Sequence, residues 1–138
     1  MSNLENGIMM TCQISSDADV VSARQLGRKV AGDMGFSRPD QALIATSISE
    51  LARNIVNYAQ VGTIEIMSLV KGSKLGLQVV ASDTGPGIDN IEAAMTDGFS
   101  TARSLGLGLP GTRRMVDDFD ITSEPGKGVR VTVVKWLH

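Results

Sequence analysis

Gly106-Leu-Gly-Leu-Pro-Gly111 has the spacing G-x-G-x-x-G, and what lies on either side of it decides the fold. In a doubly wound dinucleotide fold this motif follows a strand directly and sits inside a βαβ unit. Here the preceding Asp97–Leu105 is polar and aperiodic, which reads as loop, and only 27 residues follow Gly111 in a chain of 138. The dinucleotide fold is rejected on that ground. The shared physics survives, because a glycine-rich loop running into a helix over Pro110–Asp118 offers free N–H groups and a positive dipole end to phosphate. No G-x-x-x-x-G-K-[ST] occurs, so a P-loop is rejected as well.

Working outward, Phe119–Ser123 and Val129–Leu137 are β-rich runs joined by Glu124-Pro-Gly-Lys-Gly128, a closing hairpin. Upstream, Thr63–Val70 and Leu75–Ser82 form a second hairpin with Lys71-Gly-Ser-Lys74 as a four-residue connection. Asp83-Thr-Gly-Pro-Gly87 ends that hairpin, and Ile91–Met95 reads as one or two helical turns. Ser37-Arg-Pro-Asp40 caps a helix whose apolar face is Ile44, Ile48, Leu51, Ala52, Ile55 and Ala59, running to about Tyr58. Ser16-Asp-Ala-Asp19 caps an earlier helix, with Val20, Ala23, Gly27, Val30, Ala31 and Met34 at helical spacing and Gly35 as its stop. Ile8–Ile14 reads as the first strand. This order does not alternate strand and helix. It predicts an α+β two-layer sandwich, helices on one face of a mixed or antiparallel sheet, in a single domain over residues 1–138.

Composition narrows the chemistry. The chain is 42% hydrophobic and 20% charged, the balance of a folded domain. Cys12 is the only cysteine and His138 the only histidine, so no internal disulfide, Cys/His zinc site or Ser-His-Asp triad can be assembled. Thirteen Lys and Arg against fifteen Asp and Glu leave a net charge of −2 with no basic block, which argues against nucleic acid. No apolar run approaches the ~18–20 residues needed to span a bilayer, and no secretory leader is evident, so the expectation is a cytoplasmic protein with no membrane partner. The fifteen glycines cluster in 83–87, 106–111 and 126–128, and such clustering calls for a reason.

Three places carry candidate chemistry. Opposite the apolar stripe of the Ser37–Tyr58 helix stand Ser47, Glu50, Asn54 and Asn57, with Glu50 and Asn54 one turn apart. Asn and Ser are poorer helix formers than Lys or Glu, so the stripe reads either as an ordinary polar face or as a hard-cation site beside a carboxylate base. Asp83-Thr-Gly-Pro-Gly87 reads either as a tight turn or as a carboxylate beside side-chain-free backbone, able to meet an exocyclic amine and a flat ring. Arg103 is either a solvated loop arginine or a reach toward a terminal phosphate. Arg24 and Arg28 read as surface charges, Cys12 as an apolar filler of the first strand, and Trp136 as an anchor of the last strand to the core.

Taken in order, Ser-Glu50-Leu-Ala-Arg-Asn54-Ile, Asp83-Thr-Gly-Pro-Gly87-Ile, Gly98-Phe-Ser-Thr101 and Gly106-Leu-Gly-Leu-Pro-Gly111 resemble the N, G1, lid and G2 elements of the GHKL ATPase and kinase superfamily, the Bergerat fold. More narrowly, Ala23-Arg-Gln-Leu-Gly-Arg28, Asp97-Gly-Phe-Ser-Thr101 and Lys135-Trp-Leu resemble the RsbT-type serine kinases of bacterial stress-response partner switching. The resemblance covers about residues 20–137. It implies Mg²⁺ and ATP as cofactors, Glu50 as general base, Asn54 as Mg²⁺ ligand, and Asp83 as adenine reader, with Gly85 and Gly87 at the adenine pocket. It further implies that Ser100, Thr101 and Arg103 in the lid, with Gly106, Gly108 and Gly111, hold the phosphates. One departure stands out: many members carry Thr directly after the last glycine pair, where this chain has Val129. Thr132 is three residues on and points to the other strand face, which leaves the second adenine contact to Thr84 or water.

The implied activity is phosphorylation of a serine on a STAS-domain regulatory protein, with a phosphatase or other output enzyme as a further partner. An ATP-loaded anti-sigma factor that sequesters its partner is the alternative. A two-component histidine kinase core would need a phosphoacceptor histidine and a dimerising helix pair, which this sequence does not supply. A glycine-rich domain without catalysis is the plainest alternative.

Overall fold

The computed structural model describes residues 9–85, 95, 108–124 and 126–137. Helix α1, Asp17–Met34, starts where Ser16 accepts a hydrogen bond from the Asp19 N–H, and stops at Gly35, whose φ of 99° lies in the left-handed region. Asp19 in turn accepts from the Ser15 N–H at 2.9 Å and its hydroxyl at 3.1 Å. Those bonds, the backbone one first, hold the Asp19 carboxyl below its ordinary value. Helix α2, Arg38–Tyr58, repeats the device with Ser37 accepting from Asp40 N–H and proline in the first turn. Both caps follow the sequence reading. The two helices cross closely at Gly27, where a Cβ would run into the Ile48 side chain.

Strands β1 (Met9–Ile14), β2 (Gly62–Lys71), β3 (Lys74–Asp83), β4 (Asp118–Glu124) and β5 (Gly128–Trp136) form one sheet in the order β1-β2-β3-β5-β4. Every pairing is antiparallel, so of the mixed and antiparallel alternatives the sheet takes the second. Register places Ile14, Ile64, Ile66, Leu77, Val79, Ala81, Val131 and Val133 on one side, where they join Val20, Ala23, Ile44, Ile48, Leu51 and Ile55 of the helices in one buried core. The α+β two-layer architecture is therefore the one the sequence predicts. Among the described residues, no helix is long and apolar enough to cross a membrane.

Three details differ from the sequence reading. Lys71 pairs with Lys74, so the hairpin closes through Gly72-Ser73 alone instead of a four-residue connection. Gly72 has φ 61°, the glycine-first placement of a type II′ turn. Helix α3 spans Gly108–Met115 instead of Pro110–Asp118, because the Asp117 N–H already bonds Val134 O at 3.0 Å and Asp118 begins β4. Trp136 does not anchor the strand to the helix-side core. Register sets it opposite Gly76 on the other sheet face, where its ring would meet any Cβ at Gly76 and its indole N–H donates to Asp118 at 2.8 Å. Lys135, its neighbour, takes the helix side and lies 3.6 Å from Asp117 and 3.9 Å from Asp40 at the start of α2. Alternation sends adjacent residues to opposite faces, and the ion pairs settle which one points inward.

The helical turns over Ile91–Met95, apart from Met95, and the loop over Asp97–Leu105 lie outside the described residues, as do Gly87, Ser100, Thr101, Arg103 and Gly106. Cys12 sits half-buried against the core, and burial, then the Asp19 charge, pushes its thiol up, in keeping with a filler role. Arg24 and Arg28 are exposed.

Candidate functional site

The polar stripe of α2 is not a solvated face. Ser47 is 1% exposed and Glu50 7%, while Asn54 is half-buried and Asn57 alone is open to solvent. Ser47 donates its hydroxyl to Leu43 O at 2.8 Å and stands among Ile44, Leu77, Val79 and Val133, which makes it part of the packing. The stripe thus divides into a structural upper part and a pair, Glu50 and Asn54, one turn further on.

That pair is under-satisfied. Glu50 Oε1 accepts from Arg53 Nη1 at 3.1 Å, but Oε2 is buried without a hydrogen-bond partner among the described residues, and so is Asn54 Oδ1. Leaving one buried acceptor unpaired costs about 1–3 kcal/mol, more when it is charged, so two side by side are a destabilising arrangement for the chain alone. What both lack is a donor or a cation. No group of three or more His, Cys, Asp or Glu side chains gathers among the described residues. That donor set suits Mg²⁺, which takes one or two protein oxygens and completes its octahedron with phosphate and water, better than it suits a metal caged by protein alone.

At the far end of β3, Asp83 is held firmly. Its Oδ1 accepts from the Gly85 N–H at 2.9 Å and the Val129 N–H at 3.3 Å, so the first turn after β3 and the start of β5 both grip one oxygen. Glycine is required around it. Gly128 has φ 110°, and a Cβ there would strike the Asp83 carbonyl; at Gly85 a Cβ would come within 2.6 Å of the Ala59 Cβ. Over the described Asp83–Gly85, the structure shows a carboxylate fixed by backbone N–H groups with glycines at the close approaches. Thr132 pairs with Val80 and sits on the sheet face opposite Val129, as alternation predicts, and Thr84 is exposed.

Helix α3 packs against α2 and starts at Gly108, whose φ of 60° lets the chain turn into the helix. Gly108, Leu109, Pro110, Gly111 and Thr112 are buried, and no acidic residue occupies the first turn. Gly108 thus opens the helix, whereas Gly111 lies on its packed side. Thr112 is wholly buried and returns its hydroxyl to Gly108 O at 2.9 Å, bracing that first turn.

The structure brings together Glu50 with Asn54 on α2, and Asp83 with Gly85 at the end of β3; Gly108 and Gly111 sit on the helix packed against α2. Three contributors escaped the sequence reading. Arg53 was legible as an i,i+3 partner of Glu50. Thr112 was legible as a residue four beyond Gly108, the spacing of a hydroxyl back-bond. The Val129 N–H had no signal, since it contributes main chain across 46 residues.

Residues 39–138 match the family described as "Histidine kinase-, DNA gyrase B-, and HSP90-like ATPase". Over 126 residues, 91% of this chain and 95% of the relative, it is 50% identical to "Serine/threonine-protein kinase RsbT" of Bacillus subtilis. It is 31% identical over 121 residues, 83% of each chain, to "Anti-sigma F factor" of a Thermoanaerobacter species. A third relative, "Anti-sigma F factor" of Caldanaerobacter subterraneus subsp. tengcongensis, is 27% identical over 138 residues, 96% of this chain and 95% of its own.

Proposed function

This chain belongs to the histidine kinase-, DNA gyrase B- and HSP90-like ATPase family, and within it we propose a Mg·ATP-dependent serine kinase that phosphorylates a STAS-domain regulatory protein in a partner-switching pathway. The single observation that carries the reading is that Glu50 and Asn54, one turn apart on α2, each keep a buried oxygen without a partner among the described residues. Asn54 Oδ1 is the ligand offered to Mg²⁺. The ion, when bound, would offset negative charge on the phosphate oxygens. Glu50 Oε2 takes the proton of the acceptor serine as the serine oxygen bonds to the γ-phosphorus. The bond from that phosphorus to its bridging oxygen breaks in the same step, and ADP leaves with the electron pair. Phosphoryl transfer asks the protein for position and charge stabilisation more than for covalent chemistry, so a base, a metal ligand and a glycine-lined helix start suffice.

Asp83 reads adenine: with Oδ1 tied to Gly85 and Val129, Oδ2 is left to accept from the exocyclic amine. We assign Gly85 and Gly87 to adenine, and Gly106, Gly108 and Gly111, with Ser100, Thr101 and Arg103, to the phosphates. The whole chain acts as one domain in the cytoplasm, and a phosphatase or other output enzyme competes for it with the substrate.

The test is transfer of labelled γ-phosphate from ATP to each STAS-domain protein encoded beside this chain. Labelling of one of them on serine, dependent on Mg²⁺, supports the reading; no labelling of any overturns it. The anti-sigma relatives favour a second reading, ATP-loaded sequestration of a sigma subunit. Capture of a sigma subunit without serine transfer would select it.

A further inference from the structure

We propose that Arg53 is a positioning residue for Glu50: its guanidinium holds one carboxylate oxygen so that the other, Oε2, is the one turned to the acceptor hydroxyl. The inference rests on Glu50 being the base. Helix geometry comes first. Arg53 stands three residues beyond Glu50 and Asn54 four, so at 100° per residue they lie about 60° to one side of the Glu50 direction and about 40° to the other. The carboxylate is flanked by a cation on one side and an amide oxygen on the other. Those two neighbours treat it differently: Arg53 Nη1 donates to Oε1 at 3.1 Å, whereas Asn54 Oδ1, an acceptor like the carboxylate, has no partner among the described residues.

The exposures assign the roles. The Arg53 side chain is 46% exposed and that of Glu50 9%, so the guanidinium stands at the rim and the carboxylate lies within. A carboxyl group turns about its last torsion in a broad, twofold well, which makes its two oxygens interchangeable unless one is held. Arg53 removes that freedom. An ordinary surface pair at this spacing would support the helix and nothing else. Here the acidic member is buried, its second oxygen has no partner among the described residues, and Asn54, the proposed metal ligand, sits on its other flank. Fixing Oε1 therefore sets where Oε2 and the negative charge stand relative to Asn54, and small misplacements of a base are costly in rate.

The test compares Arg53→Met, which keeps the aliphatic stem, with Arg53→Lys, in both the parent chain and Glu50→Gln. Single-turnover transfer from Mg·ATP is measured to the STAS-domain protein that the parent labels, and Mg·ATP affinity is measured by calorimetry. Arg53→Met should slow transfer about 10-fold with nucleotide affinity and the half-saturating concentration of acceptor protein unchanged, and Arg53→Lys should recover most of the loss. In the Glu50→Gln background Arg53→Met should change nothing further, because the residue acts through Glu50. An equal loss in both backgrounds, a loss confined to acceptor half-saturation, or no loss in the parent would each overturn the assignment. The pair is also read without catalysis: the Arg53 guanidinium ¹⁵N–¹H signals should be protected in the parent and lose protection in Glu50→Gln. Intact protection in a chain that labels no acceptor would locate the failure in the kinase reading; protection indifferent to Glu50→Gln would locate it in the pair.

Discussion

The Glu50–Asn54 pair, within α2, and Asp83, at the end of β3, are both polar sites, yet their hydrogen-bond accounts are opposite. Asp83 is held by two backbone N–H groups on one oxygen, with glycines where any Cβ would collide. Glu50 and Asn54 each keep a buried oxygen without a partner among the described residues. A third polar cluster, Lys135 with Asp40 and Asp117, sets a cation between two carboxylates and ties the start of α2 to β5. The proposed roles would account for the difference: Asp83, as a reader, is pre-aimed by backbone with one oxygen left over, and the α2 pair, as a chemical site, is short of a cation or a donor.

The largest effect is expected at Glu50. Glu50→Gln keeps the length and hydrogen-bonding shape of the side chain but removes the proton acceptor, and should lower phosphoryl transfer by about 10²–10³-fold, the lower half of the usual worth of a general base. Nucleotide affinity should hardly move. Rapid-quench measurement of transfer decides it, and a parental rate would return Glu50 to the structural class.

Asp83 tests the reading end. Asp83→Asn can keep Oδ1 accepting from Gly85 and Val129 while presenting an amide donor where Oδ2 was, at a cost of about 1–3 kcal/mol in ATP binding, or roughly 5–150-fold. GTP, with a carbonyl where adenine has its amine, should bind the parent poorly. Titration of both nucleotides against both proteins is the check, and equal affinity for ATP and GTP would contradict an adenine-reading Asp83.

The smallest effect concerns strain. Gln60, just past α2, has φ 71°, the only positive φ outside glycine among the described residues. Its N–H bonds Ile55 O at 2.8 Å, the pattern of a left-handed helix stop. If that strain is merely the price of the stop, Gln60→Gly should stabilise the fold by about 0.5–1 kcal/mol in urea unfolding and leave nucleotide binding alone. A loss of affinity would add strain to the features that mark the site.

Much of this was legible in the sequence because local rules and the tertiary outcome agree. Ser16, Gly35 and Ser37 fixed the helix ends through their own hydrogen bonds, and period-two runs fixed the strands. Glu50, Asn54 and Asp83 were legible as types at a spacing. What escaped depends on distant groups. The loop at Gly72-Ser73 is short because Lys71 and Lys74 pair, which their charge and polarity conceal. Trp136 was placed by hydrophobicity on the core side, but two carboxylates draw Lys135 there instead. Ser47 looked like a surface hydroxyl because an i−4 back-bond, which makes its burial tolerable, leaves no mark in composition. The grip of Val129 on Asp83 is made by main chain, so the side-chain departure at that position says nothing about it.

Calorimetry of ATP binding with and without Mg²⁺, in the parent and in Asn54→Ala, decides whether Asn54 Oδ1, buried without a partner among the described residues, takes a cation that arrives with nucleotide. Asn54 lies off the apolar face and its buried oxygen is unpaired among the described residues, so Asn54→Ala should fold and, without nucleotide, be no less stable than the parent. Mg²⁺ should strengthen ATP binding to the parent, and Asn54→Ala should abolish Mg²⁺-dependent binding. A folded Asn54→Ala protein with undiminished Mg·ATP affinity would contradict that role.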